Sequence, residues 1–236
     1  MAATAVVAAS TALCIPQGHA QAGASDASTF LLLAGTDLWR YGDFLYGGML
    51  WSPAGLNADG FTLKALFNGG RYSYSAGDLH GDVDGTTFAA AALPGWRFSR
   101  GSLTVSLFAG PVVQDYRLTP FDPGSRLHGF YVGGQLAGEV WYQPTRNIMA
   151  AINGSFASIG PTGSVRAATG YRLFDAMFVG PETAALWCGN FQQFQFGAHV
   201  TALRIDAVEW SAGSGWAMDS DRRSGPYLRL GVSARY

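Results

Sequence analysis

From residue 29 onward the chain alternates apolar and polar side chains with a period of two. That period puts apolar residues on one face of a β-strand and polar residues on the other. In "GFTLKALFN", Phe61, Leu63, Ala65 and Phe67 share one face, and Thr62, Lys64 and Asn68 the other. "SLTVSLFAGPVV" groups Leu103, Val105, Leu107 and Ala109. "GFYVGGQLAGEVWY" sets Phe130, Val132, Leu136, Val140 and Tyr142 against Gln135 and Glu139. "SVRAATGYRL" sets Val165, Ala167, Tyr171 and Leu173 against Arg166, Gly170 and Arg172. "QQFQFGAHVTAL" sets Phe194, Phe196, Ala198 and Val200 against Gln193, Gln195, Gly197, His199 and Thr201. The pattern predicts about twelve strands, near 29–40, 44–52, 60–74, 85–98, 102–114, 128–142, 147–158, 164–173, 176–184, 191–204, 206–213 and 225–236.

An even number of strands is what a bacterial single-chain barrel requires. The final stretch, "GPYLRLGVSARY", sets Leu228, Leu230, Val232, Ala234 and Tyr236 against Arg229, Gly231, Ser233 and Arg235. An apolar face ending on an aromatic fits the closing strand of such a barrel, with the aromatic near the membrane interface. The connections point the same way. "FSRG", "YQPTRN", "RLFDA" and "RIDA" read as short turns, whereas "YSAGDLHGDVDG", "YRLTPFDPGSRLHG", "GPETAALWCGNFQQ" and "SAGSGWAMDSDRRSG" read as long loops. Sorting of short and long connections to opposite ends is expected of an outer-membrane barrel, with the long ones outside. A soluble sandwich has no reason to sort its loops this way. Aromatics near strand ends, namely Trp39, Tyr41, Trp51, Tyr72, Tyr74, Trp96, Tyr116, Trp141, Tyr142, Tyr171, Trp210 and Trp216, are expected to form interfacial girdles.

Composition narrows the classes further. Charged residues make up 13% of the chain, against about 25% for a typical soluble domain, and 32 residues are glycine. The net charge of −1 excludes the basic surface of a nucleic-acid binder. After residue 30 no run is long and apolar enough for a transmembrane helix, and Asp37 interrupts the best candidate, "STFLLLAGTDLW". A membrane-spanning form must therefore be a closed barrel. Residues 1–22, "MAATAVVAASTALCIPQGHAQA", resemble a secretory signal in their apolar core and small-residue sites, although the first basic residue is Arg40. The barrel domain is expected over 28–236. Cys14 falls in the signal and Cys188 stands alone, so no disulfide framework or metal-ligand spacing exists.

The expected fold is thus all-β: a transmembrane antiparallel up-and-down barrel of about twelve strands. Its inward faces carry Lys64, Gln135, Glu139, Trp141, Arg166, Arg172, Gln195, His199, Arg229 and Arg235 as candidate lumen-lining residues. Leu228, Leu230, Val232 and Tyr236 form the lipid-facing side of the terminal strand used in membrane assembly. A barrel of this size leaves a lumen between the filled small barrels and the open porins, so a narrow or plugged interior is expected. If the interior charges pair across the centre the barrel is shut; if they stay apart they leave a path.

Catalytic chemistry is sparse. No G-x-S-x-G nucleophile signature occurs, and the mature chain has His80, His128 and His199 only. A lipid-modifying hydrolase, the alternative reading, needs His199 or His128 within reach of a serine hydroxyl. "DLHGDVDG" has the acidic spacing of a calcium loop without the distal glutamate, so no metal site is expected. A soluble lipocalin-like protein is the third reading, at the cost of wetting the apolar strand faces.

A more specific resemblance covers nearly all of the mature chain. "GGMLWSPAGLNADGFTLKALFNGGRYSY", "LPGWRF", "FAGPVVQDYRLTPFDPGSRLHGFYVGGQLAGEVWYQPT", "ATGYR", "FVGPE" and "FGAHVTAL" together resemble the bacterial cellulose biosynthesis protein BcsS family. The resemblance implies a non-enzymatic accessory in the outer membrane of a Gram-negative bacterium, without cofactor or catalytic residues. It implies outer-membrane lipid and lipopolysaccharide as surroundings. A cellulose chain or periplasmic components of the cellulose synthase are its implied partners, and nucleic acid is not among them.

Overall fold

The computed structural model describes residues 28–76, 81–189 and 191–236. Twelve antiparallel strands close into one barrel. They are β1 (Phe30–Trp39), β2 (Gly42–Trp51), β3 (Gly60–Ala76), β4 (Gly81–Arg100), β5 (Leu103–Thr119) and β6 (Gly129–Thr145), then β7 (Ile148–Ala157), β8 (Thr162–Leu173), β9 (Met177–Cys188), β10 (Phe191–Ile205), β11 (Val208–Asp219) and β12 (Ser224–Arg235). Every strand pairs with its neighbours in sequence, and β12 returns to β1 with Arg229 opposite Asp37 and Val232 opposite Ala34. Closure leaves no unpaired edge, the condition for sheet to cross hydrocarbon. No helix among the described residues is long and apolar enough to cross a membrane.

The register carries one face around the whole ring. Leu50 opposes Lys64 and Lys64 opposes Leu93, and all three are buried in the interior. Leu107, Leu136, Ile152 and Phe196 belong to the opposite face and are exposed on the outside. On β5 the outward apolar run from Leu103 to Val113 spans ~33 Å of strand, or ~25 Å along the normal at a tilt near 40°, the height of an outer-membrane apolar band. Pro94 and Pro111 face the seam between β4 and β5, and pairing there is interrupted between Ala91–Val112 and Gly95–Phe108, as their missing N–H groups require.

Three segments expected as long loops are mostly strand. β9 runs to Cys188 and β10 starts at Phe191, β11 runs to Asp219, and β3 and β4 extend to Ala76 and from Gly81. In two of these stretches glycine and polar residues weaken the alternation that marks a strand, and in the third apolar residues occupy both faces. Among the described residues, 120–128 is the long connection at that end. At the end where the described chain begins and finishes, the termini end, the turns are short except 52–59, which folds into the barrel, with Ser52 and Leu56 buried. The secretory-signal segment, His80 and Asp78 lie outside the described residues.

Candidate functional site

The interior side chains cross the lumen at several levels. Near mid-height, Lys64 on β3 forms an ion pair with Glu139 on β6, three strands away around the ring. The Lys64 ammonium also lies 4.3 Å from the centre of the Phe108 ring. On the other side, Glu182 of β9 collects two guanidinium groups. Arg166 of β8 donates from Nε at 3.1 Å and from Nη2, and Arg229 of β12 donates from Nη2 at 2.6 Å. The Tyr227 hydroxyl donates to the same carboxylate at 2.9 Å. Arg229 in turn faces Asp37 across the closing pair of strands. Side-chain exposures of 4% for Glu182, 12% for Arg166 and 14% for Arg229 keep the cluster largely dry, so each charge depends on the others.

Glycines make room for these contacts. Tyr227 reaches Glu182 from β12 by lying over Gly215 and Gly197 of β11 and β10; at Gly197 a Cβ would meet its hydroxyl. Tyr46 of β2 crosses Gly35 of β1 to donate to the Leu230 carbonyl on β12 at 3.2 Å, and a Cβ at Gly35 would collide with its ring. Tyr46 therefore ties β2 to β12 across the closing seam, and Tyr227 ties β12 to β9.

The two ends are closed by different means. At the termini end Leu56 of the inward loop packs against Leu31, Leu50, Leu93 and Phe108. Arg97 donates to the Leu56 carbonyl and to Ser106 Oγ at 3.2 Å, fixing the loop by its backbone. Outside this end, Asp59 accepts from Arg100 and from the Ser99 N–H, and these bonds hold its carboxyl below the usual aspartate range. Beside the loop, Trp141, Met149, Ala151 and Phe178 form a second apolar cluster. At the far end Phe191 of β10 packs with Phe44, Tyr72, Tyr74 and Val83 of β2–β4, side chains from opposite walls. Val112, Tyr116, Leu127, Ile159 and Cys188 fill the remainder, and Asp122 of the long loop accepts from the Tyr74 hydroxyl at 2.7 Å.

The structure places the predicted lumen residues as follows. Lys64, Glu139, Trp141, Arg166, Gln195, His199 and Arg229 point inward, and Gln135 shares their face. Arg172 and Arg235 sit at the termini-end mouth, the first over the Phe178 ring at 4.4 Å, the second 3.5 Å from Asn57 Oδ1. Leu228, Leu230 and Tyr236 are exposed on the outer face with Val232 between them. Sequence reasoning missed Asp37, Arg97 and Glu182. All three keep the inward parity, but Asp37 lies in a leucine run, and Glu182 shares its face with Phe178, Ala184 and Leu186, so no polar face was visible. The girdle expectation needs correction: Tyr72, Tyr74, Tyr116 and Trp141 are buried inside the barrel, because parity decides where an aromatic points. Phe30 stacks on Trp51 and Phe61 meets Trp51 edge-on, a row on the outside, with Trp96, Tyr142, Tyr171 and Trp210 exposed at the same end.

The geometry of a Ser–His hydrolase is not formed by the described histidines. His199 is 2% exposed inside the barrel and its Nε2 lies 3.0 Å from the Thr169 carbonyl. His128 packs its ring edge-on against Phe121. Neither hydrogen-bonds a serine hydroxyl among the described residues. No cluster there of three or more His, Cys, Asp or Glu is placed to hold a metal ion.

A profile described as cellulose biosynthesis protein BcsS matches residues 31–236. No curated protein matches the sequence significantly. Among solved structures the chain is similar to LpxR from Salmonella typhimurium, at 10% identity and TM-score 0.49, over 87% of this chain and 100% of that one. It is similar to the translocator domain of the autotransporter NalP from Neisseria meningitidis, at 14% identity and TM-score 0.48, over 89% and 87%. The KdgM porin aligns at 11% identity and TM-score 0.45, over 87% and 99%.

Proposed function

The chain belongs to the cellulose biosynthesis protein BcsS family, and within cellulose production we propose that it serves as an outer-membrane scaffold that organises the secreted glucan, not as its passage. The outward apolar band is the surface that lipid and lipopolysaccharide would cover, with both termini on the periplasmic side. One observation carries the choice of scaffold over passage: the interior charges are committed to one another inside the lumen, Lys64 with Glu139 and Arg229 with Glu182 between strands three apart around the ring, and Arg166 with Glu182 on adjoining strands. A threading glucan would have to separate these pairs, and breaking a buried pair costs about 3–5 kcal/mol. A transport path also needs sites weak enough to release the solute at each step. Gln135, Gln195 and Trp141 are then parts of a packed interior, not rungs of a sugar track.

The test combines two measurements. Purified protein in planar bilayers is expected to give no sustained single-channel steps, while deletion of the gene is expected to change cellulose yield or fibre organisation. Stable conductance blocked by cello-oligosaccharides would replace the scaffold with a passage. Normal yield and normal fibres after deletion would remove both.

A further inference from the structure

We propose that the two turns joining β8 to β9 and β10 to β11 form a docking surface for a second protein, one that offers an apolar pocket with a basic rim. This deepens the scaffold reading, on which it rests, by locating the footprint of the partner. The first turn closes by a hydrogen bond from the Ala176 N–H to the Leu173 carbonyl at 3.0 Å, with Phe174 at φ 53° and Asp175 at φ 51° between them. Two positive φ values in a row favour Asn-Gly, and a phenylalanine there is strained. Phe174 is nevertheless 88% exposed, the most exposed of the large hydrophobics. On the second turn Ile205 is 55% exposed and stands beside Asp206 at φ 55°. The turns are two strands apart on one arc of the rim, roughly 10 Å.

Lipid is the poorer occupant. Tyr171 marks the interface on β8, and Phe174 stands beyond the end of that strand, in the turn that follows Leu173. At that depth Phe174 is past the hydrocarbon that would favour it. Asp175 and Asp206 would also repel anionic headgroups. Both acids lack an ionic partner among the described residues, since Arg204 turns to Glu209 at 3.5 Å and Arg172 donates to the Arg146 carbonyl at 2.7 Å. An apolar knob between two unneutralised carboxylates fits a pocket ringed by lysine or arginine.

A photo-reactive phenylalanine analogue at position 174, with the same probe at Ser102 on another turn of that end as control, tests this in intact cells. The expected result is a discrete protein adduct at 174 in at least tenfold the yield at 102. The adduct should fall about tenfold when Asp175→Asn and Asp206→Asn are combined, with the barrel still folded by its heat-modifiable gel mobility. Phe174→Asn suits the turn, so the fold should survive it while binding of the purified adduct partner is lost. Adducts to phospholipid alone, equal yields at 102 and 174, or indifference to the two Asn substitutions would each overturn the proposal. None of these outcomes depends on cellulose yield, so the docking surface and the scaffold reading fail separately.

Discussion

Glu182→Gln changes one carboxylate oxygen for an amide nitrogen and removes the charge that hydrogen-bonds both Arg166 and Arg229. Glu182 accepts from Arg166 by two nitrogens, from Arg229 at 2.6 Å and from Tyr227 at 2.9 Å. Charge-assisted bonds contribute about 1.5–3 kcal/mol each, but they are not additive, and breaking a buried pair costs about 3–5 kcal/mol in all. Two facts reduce the figure here. The guanidinium groups retain some water contact, and Asp37 still faces Arg229. The expected loss is therefore about 3 kcal/mol, or roughly 100-fold in the unfolding constant. Urea titration of the barrel in lipid vesicles, followed by tryptophan fluorescence, reads it directly. Arg229→Gln added to Glu182→Gln removes one stranded cation, so the double variant should recover part of the loss. If Glu182→Gln unfolds at the wild-type urea concentration, or the double variant simply sums the two single losses, the cluster does not hold the barrel together as argued.

Gly35→Val drives a side chain into the Tyr46 ring and the Leu230 carbonyl, and should abolish refolding or slow it severely, as followed by gel mobility; Tyr46→Phe, which removes only the hydroxyl, should cost about 1 kcal/mol. Leu56→Ala empties the apolar cup beneath the inward loop and should cost about 2–3 kcal/mol, with faster proteolysis between residues 52 and 59. The Asp59 carboxyl, lowered by its bond from Arg100, should titrate below its ordinary 3.8, and Arg100→Gln should raise it in NMR titration. Because the folded value is the lower one, any stability it lends is complete above the ordinary carboxylate pKa and fades as the pH falls through the folded value.

The fold was legible because one physical fact, alternation, repeats in every strand. Each of the twelve predicted segments falls on an observed strand, and the faces assigned from Phe61, Leu103, Phe130 and Leu228 are the outward ones. Their ends were less legible. A stretch such as "GPETAALWCGNFQQ" loses its polar face, because Ala184, Leu186 and Cys188 take the inward positions, and the loss of alternation looks like a loop. The interior cluster was legible in half. Arg166 and Arg229 stand out among apolar neighbours, but their acceptor Glu182 follows a proline and precedes alanines, and nothing in sequence spacing pairs β9 with β12. The tyrosines illustrate the same limit. Tyr46 and Tyr227 matter because glycines lie beneath them on other strands, a relation that only the register reveals.

The unusual composition follows from this interior. A chain with 13% charged residues carries many of them inside a membrane cylinder, where each needs a partner. The partners come from neighbouring strands or from strands three apart around the ring, and glycines such as Gly35, Gly85, Gly197 and Gly213 clear the ground that long side chains cross. The satisfaction is incomplete. Trp141 Nε1, Asn153 Oδ1, Gln193 Nε2 and His199 Nδ1 are buried without a hydrogen-bond partner among the described residues. A channel would present such groups to solvent in a graded series. Here the strong charges are committed to one another and the weaker polar groups are packed beneath apolar side chains. That arrangement favours a rigid wall over a path. On the scaffold proposal, partners would be met at the two rims, by the extended strands on one side and the exposed Phe174 on the other.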